Sequence, residues 1–492
     1  MKEAKQKLHR DLPETTIWGY EGLYPGPTIE AEVDHPIHVR WINHLPLKHI
    51  LPVDKSVHGA EPDKPEVRAV THLHGGHNLP DSDGHPDAWY TADYAKVGPK
   101  FTRKEFVYPN DQLATTLWYH DHAMGITRLN VYAGLAGFYL LRDPQEKALN
   151  LPSGKYEIPL LLQDRSFNRD GSFYYPGEAM NGFKPSIVPE FFGDTAVVNG
   201  KIWPYLEVDA TLYRFRILNG SNGRTFYTKF VKYDEATKAY NPAGPGLEFK
   251  QIGTDGGLLA APVTVKRLLL GPAERADVLI DFTGLEGQTF LLHNSAKVPF
   301  HNVDQDDDET PLPELMIVRV KACRSGDCGG GARVPTALRP FKPIPEASAT
   351  KSRDLTLNEA EDRYGRKLPL LNNTMWTDPV TELPRLNSTE VWSFINLTDD
   401  THAMHLHLVQ YQILDRRPFN KEKYDETGKL VFTGPARPPA PNEIGWKDTV
   451  QAFPGFVTRV IARFDRLGDY VWHCHILEHE DYEMMRPFRV VE

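Results

Sequence analysis

One short pattern recurs three times at nearly equal spacing, and it limits the possible folds more than any other feature of the chain. A proline opens it, an alternating stretch follows, and an asparagine closes it: residues 27–43 (PTIEAEVDHPIHVRWIN), 204–219 (PYLEVDATLYRFRILN) and 384–396 (PRLNSTEVWSFIN). The opening prolines stand 177 and 180 residues apart. Alternation with period two marks a strand with one buried face. Three related β-domains are therefore predicted, each of a size suited to a sandwich or Greek-key barrel. The 492 residues, 40% of them apolar, suffice to fill several cores. Forty prolines and 37 glycines spread along the chain supply many short turns, which suits an all-β chain better than a helical one.

Composition shifts set the expected boundaries. Residues 141–155 (LRDPQEKALNLPSGK) read as a first linker, and the Gly-, Pro-, Ala- and Ser-rich residues 322–353 as a second. The domains predicted are 1–147, 148–321 and 354–492. A formal charge of −10 without a basic stripe excludes nucleic acid as a partner. No apolar run is long enough to span a membrane. The polar start MKEAKQKLHRDLPE, with no apolar core and no paired arginines, predicts synthesis in a cytoplasm without an export signal. The acidic run at 304–309 (DQDDDE) is expected to be a solvated loop. Cys323 and Cys328, in CRSGDCGGG, can pair locally or stand as two linker thiols. The third cysteine, Cys474, differs because His473 and His475 flank it.

Twenty histidines would give roughly one H-x-H by chance. Four occur: His72/His74, His120/His122, His405/His407 and His473/His475. On a strand, residues two apart face the same side, so each pair offers two imidazoles to one site. Two pairs fall in the first domain, two in the third and none in the second, which puts the metal site where the first and third meet. Imidazole suits copper, zinc, iron and nickel alike, so the histidines alone leave the metal open. The neighbouring residues narrow it. His402, Cys474, His479 and Met484 (HAMHLH and HCHILEHEDYEMM) are two histidines, a cysteine and a methionine, the ligand set of a blue-copper electron-transfer site. On a strand Cys474 points away from His473 and His475, so one tripeptide touches two sites and can relay electrons between them. Copper can carry that relay, whereas zinc has no redox chemistry.

These residues resemble the multicopper oxidases, and among them the bacterial spore-coat laccases. The resemblance covers nearly the whole chain, through GLYPGPTIE, THLHGGH, DSDGHPDAW, LWYHDHAMGITRLNVYAGL, VVNGKIWPYLEV, THAMHLHL, GWKDTV and YVWHCHILEHEDYEMMRP. It implies three cupredoxin-like Greek-key β-barrels and four copper ions. His402, Cys474 and His479 would bind the type 1 ion with Met484 axial, and His72 and His405 the type 2 ion. His74, His120, His122, His407, His473 and His475 would bind the type 3 pair. Asp83 and Glu480 match positions that handle protons in the family. The activity implied is one-electron oxidation of phenols, aromatic amines and related compounds, with bilirubin as a further substrate, coupled to four-electron reduction of dioxygen to water. Oxidation of Cu(I), Fe(II) or Mn(II) is the alternative. The eight methionines are scattered apart from Met484/Met485, with no methionine-rich insert, which weakens that alternative. A structural coat or copper-storage role is a third reading, and it leaves the cysteine bridge without a purpose. Close relatives carry an additional segment before the stretch matching KLHRDLP, so either a shortened first strand or a truncated form of the chain is expected. The resemblance also suggests deposition in a spore coat. A monomer is the simplest expectation, since every ligand lies in one chain. Either His479 or His402 is expected to be the exposed type 1 histidine.

Overall fold

The three proline-led segments build the same device three times in the computed structural model, which describes residues 1–177, 184–302, 312–323, 328–329 and 331–492. Strand Gly26–Glu32 runs parallel to Ala136–Arg142, and Tyr205–Asp209 runs parallel to Glu314–Lys321. In the third copy Glu382 and Arg385 form parallel bridges to Phe488 and Val491. Each opening segment is thus zipped onto the last strand of its own third of the chain. The closing asparagines explain why that residue type recurs. Asn43, Asn219 and Asn396 are fully buried, and the side-chain oxygen of each accepts the backbone N–H two residues on, from Leu45, Ser221 and Thr398. Their amide groups donate to distant carbonyls, of Tyr90, of Arg224 and Leu270, and of Asp400 and Ala452. Asparagine is suited to this because one short side chain both closes the turn and bridges to a second segment.

The fold is all-β, with strands paired into sheets that face one another across apolar cores. In the first domain Gly26–Glu32, Ala136–Arg142, Thr115–Asp121 and Thr71–His74 lie in that order in one sheet, and Ile37–Arg40 pairs with Glu105–Tyr108 in another. The second domain holds an eight-stranded and a six-stranded sheet. The third holds a five-stranded sheet and a four-stranded one ordered Thr449–Ala452, His402–Leu406, Gly468–Cys474, Met485–Val490. A core around Phe215, Phe249 and Val278 fills the second domain, and one around Trp392, Trp472 and Phe464 fills the third.

The residues expected to form linkers carry more structure than composition suggested. Strand Ala136–Arg142 enters the first of them, and helix Pro144–Ala148 follows. Asp143 caps this helix by accepting the Glu146 N–H, and Pro144 sits in the first turn, where a missing N–H costs nothing. Strand Lys351–Glu361 begins inside the second expected linker. The opening strand is Lys2–Gln6, paired antiparallel with Thr15–Gly19. Cys323 and Cys328 form a disulfide. The acidic run at 304–309 lies outside the described residues.

Candidate metal centres between the first and third domains

Strand register brings the four histidine pairs together. Antiparallel pairing sets His72 opposite His120 in the first domain and His405 opposite His473 in the third. Only His72 and His74 both lie within a strand; His122, His407 and His475 stand just past strand ends, held by backbone bonds to Val70, Val471 and Ala403. The two faces then interleave. His72 stacks on His407 and His74 on His405, each with ring centroids 3.7 Å apart, so every stack takes one ring from each domain.

The eight rings are buried, and their hydrogen bonds assign their lone pairs. Nδ1 of His72, His120, His405 and His473 donates to the carbonyls of Asp83, Asp121, Asp448 and Cys474, which can only accept. Nε2 of these rings is consequently a bare lone pair. In His72, His120 and His405 that atom has no partner, and neither has Nδ1 of His74. Nε2 of His473 faces Nε2 of His122 and of His407, each at 3.3 Å. Acceptor lone pairs aimed at one another in a dry interior repel unless a cation lies between them. Three groups of donor atoms converge: His72, His405 and His407; His74, His120 and His475; His122, His407 and His473. Burial drives the imidazole pKa values down, His120 to about 3 and His72, His74, His122, His405, His407 and His475 well below the usual value. These rings are neutral, the form that binds metal.

A second centre lies on the other face of the same strand. Cys474 pairs with Met404 and sits in the third-domain core with Ile476 and Met484, while its neighbours His473 and His475 face the first domain. Its Sγ is 3.5 Å from His402 Nδ1 and 3.8 Å from His479 Nδ1, and the two nitrogens are 3.3 Å apart. Trigonal bonds of about 2.0–2.3 Å would separate their donors by about 3.5–4.0 Å, so this triangle fits a transition-metal ion. Burial pushes the Cys474 thiol up and His402 down to about 4, so without a metal the centre is uncharged. Met484 is buried beside it, its carbonyl accepting the Cys474 N–H.

A family model described as multicopper oxidase matches residues 346–492. The chain is 49% identical to a laccase of Bacillus stratosphericus over 100% of its own length and 94% of that protein's. It is 47% identical to the laccase of Bacillus subtilis, covering 100% of this chain and 93% of that one. The chain belongs to the multicopper oxidase family. The crystal structure of McoA multicopper oxidase from Aquifex aeolicus superposes with a TM-score of 0.76 at 26% identity, covering 100% and 95% of the two chains. The protein is accordingly a laccase-type, copper-dependent oxidoreductase with cupredoxin-like domains.

Asp448, Arg275 and Glu190 shape this oxidase but were not visible as site residues in the sequence, whereas Asp83 and Glu480 were. Asp448 accepts from His74 Nε2 at 3.0 Å and is gripped by both terminal nitrogens of Arg275 at 2.6 Å. Arg275 belongs to the second domain, predicted as a spacer, which thus reaches the histidine cluster without offering a ligand. Asp83 approaches His407 Nδ1 with Oδ2 at 2.7 Å, and burial raises its pKa well above the carboxylate range. Glu480 lies between His473 and His122, 3.1 and 3.4 Å from their Nδ1 atoms. Its neighbour Asp481 caps helix Thr127–Ala133 through the Thr127 and Arg128 N–H groups, locking the two domains together. Neither type 1 candidate histidine is open to water: His402 is 0% and His479 2% exposed. They differ in what covers them. His402 Nε2 donates to Thr398 Oγ1, whereas His479 Nε2 stands 3.6 Å from the Glu190 carboxylate, from the second domain. The two rings are thus distinguished by their partners, a hydroxyl on His402 and a carboxylate on His479.

Proposed function

We propose that this oxidase takes single electrons from phenols, aromatic amines and related small reductants, bilirubin among them, and delivers them to dioxygen, which is reduced by four electrons to water. The observation that carries the proposal is Cys474 on its strand, with its sulfur in one donor triangle and His473 and His475 in the other cluster. Bound copper supplies a one-electron couple at the cysteine centre and an oxygen-reducing centre among the histidines. In this reading His402, Cys474 and His479 would hold the type 1 ion, with Met484 beside them. His72 and His405 hold the type 2 ion, and His74, His120, His122, His407, His473 and His475 the type 3 pair, four ions in all. Of the three converging histidine groups, His74, His120 and His475 share no residue with His122, His407 and His473, and His72 and His405 meet only in the third, with His407, which supports the division.

The chain itself provides the path and the protons. The Cys474 backbone joins the two centres through covalent bonds, so no side chain has to move for an electron to cross. Among the described residues Asp83 Oδ1 has no hydrogen-bond partner while Oδ2 faces His407, so burial favours a proton on Oδ1. Glu480, within reach of two ligand rings, serves as the second proton carrier. Limits of 1–147, 148–321 and 354–492 describe the three domains, with 322–353 between the last two. Monomeric action and deposition in a spore coat complete the reading. Among the described residues no helix is long and apolar enough to cross a membrane.

Oxidation of a metal ion such as Cu(I) or Fe(II) is a second reading, favoured by Glu190, whose carboxylate faces the His479 edge. Steady-state rates with a phenol and with Cu(I), in wild type and Glu190→Gln, separate the two. The proposal expects the phenol to be the better substrate and Glu190→Gln to leave its rate within a few-fold. A strong Cu(I) preference abolished by Glu190→Gln reverses the order. In Cys474→Ser, dioxygen consumption should collapse with either donor; unchanged consumption would refute the relay.

A further inference from the structure

A cavity of about 430 Å3 opens between the second and third domains, lined by no residue of either metal centre. Its volume suits a small organic molecule. Three of the four arginines that line it each stand over an aromatic ring: Arg267 over Tyr227 at 5.2 Å, Arg437 over Phe456 at 5.1 Å and Arg416 over Phe453 at 5.2 Å. Arg416 is neutralised by a two-pronged pair with Glu443 at 2.8 and 2.9 Å. Arg267 and Arg437 have no carboxylate partner among the described residues; Arg267 donates only to Ser295 Oγ. Two guanidinium groups held flat by rings, with their charge unspent, suit a planar carboxylate.

Gln451 lines the same cavity. It is 4% exposed, its Nε2 donates to Glu274 Oε2 at 2.6 Å, and its Oε1 has no hydrogen-bond partner among the described residues. The bond to Glu274 fixes which way the amide points, so a buried acceptor is left without a donor. Lys447, which also lines the cavity, pairs with Asp255 and Glu274 at 2.9 and 3.0 Å and makes no hydrogen bond to Gln451 Oε1. Leu269 and Phe456 add apolar wall.

We propose that this cavity is a binding site for a small hydroxylated aromatic acid, its carboxylate between Arg267 and Arg437 and its hydroxyl donating to Gln451 Oε1. The site is separate from the His479 edge. Arg275, which lines it, also grips Asp448, so a bound acid lies one ion pair from the histidine cluster.

Isothermal titration of the copper-loaded protein with para-hydroxybenzoate, under nitrogen, tests the assignment. One molecule per chain is expected, with affinity lower by at least about tenfold for para-hydroxybenzamide and in Arg267→Ala/Arg437→Ala. Gln451→Met should weaken para-hydroxybenzoate while leaving benzoate unchanged. The double variant should still oxidise a phenol at the wild-type rate, because neither arginine touches a metal centre. No binding at a few millimolar, or equal affinity in the double variant, overturns the proposal without touching the oxidase reading.

Discussion

Asp448→Asn tests how far the second domain sustains the oxygen-side cluster. Asp448 and Arg275 have fully buried side chains and are joined by two contacts of 2.6 Å, while His74 Nε2 approaches the same carboxylate at 3.0 Å. Asparagine cannot satisfy both neighbours. With its oxygen toward His74 it turns an NH2 group on the guanidinium, and flipped it offers a donor to a donor. Arg275 would be left with Asp255, 3.8 Å away, as its nearest counter-charge. Stranding one member of a buried pair costs about 3–5 kcal/mol. Loss of the bond that orients a ligating histidine lowers metal affinity by about 10–100-fold. Denaturant unfolding of the copper-free protein, followed by tryptophan fluorescence, reads the first effect, and copper uptake against a competing chelator reads the second. Asp448→Leu/Arg275→Met, which removes both charges, should recover most of the stability and none of the copper affinity. If Asp448→Asn unfolds within about 1 kcal/mol of wild type and binds copper equally well, the ion pair does not hold the cluster and the reasoning fails.

Three further outcomes are expected. Burial alone would raise the Glu157 pKa, but Arg216, Arg214 and Arg142 around it outweigh that and hold it at about 2 against 4.5 in the unfolded chain. A lowered carboxylate stabilises above the unfolded value, so up to about 3 kcal/mol present above pH 4.5 is lost as pH falls toward 2; Glu157→Gln should flatten acid unfolding curves in that window. Met484→Leu should keep copper and raise the reduction potential of the cysteine centre, measured by redox titration, since the axial ligand tunes it. Glu480→Gln should alter the pH profile of turnover, and an unchanged profile would remove Glu480 from proton handling.

The parts of this molecule legible in the sequence are those that chain-local geometry dictates. A histidine pair two residues apart declares a shared side of an extended segment before any fold is known, and H-C-H declares two sides at once. The threefold repeat was readable because each asparagine closes its segment at a strand end or within three residues of one. Its reason, a side chain closing a turn and reaching a distant carbonyl, needed the fold. Asp448, Arg275 and Glu190 escaped for the same cause. The first two pair across 173 residues, and a lone aspartate or arginine carries no spacing signal. The difference between His402 and His479 was undecidable from spacing because it lies in their partners, Thr398 for one ring and Glu190 for the other. The helix at Pro144–Ala148 was legible in principle, since D-P-x-E is a cap and first turn, but it was masked by linker-like composition.

Optical absorption of the copper-loaded protein, with copper counted by elemental analysis in wild type and Cys474→Ser, bears most directly on the electron relay. The relay predicts an intense blue band with about four coppers per chain, and loss of the band together with about one copper in Cys474→Ser. A fully metallated wild type without that band would mean that Cys474 does not bind copper, and the path from reductant to dioxygen drawn through it would be wrong.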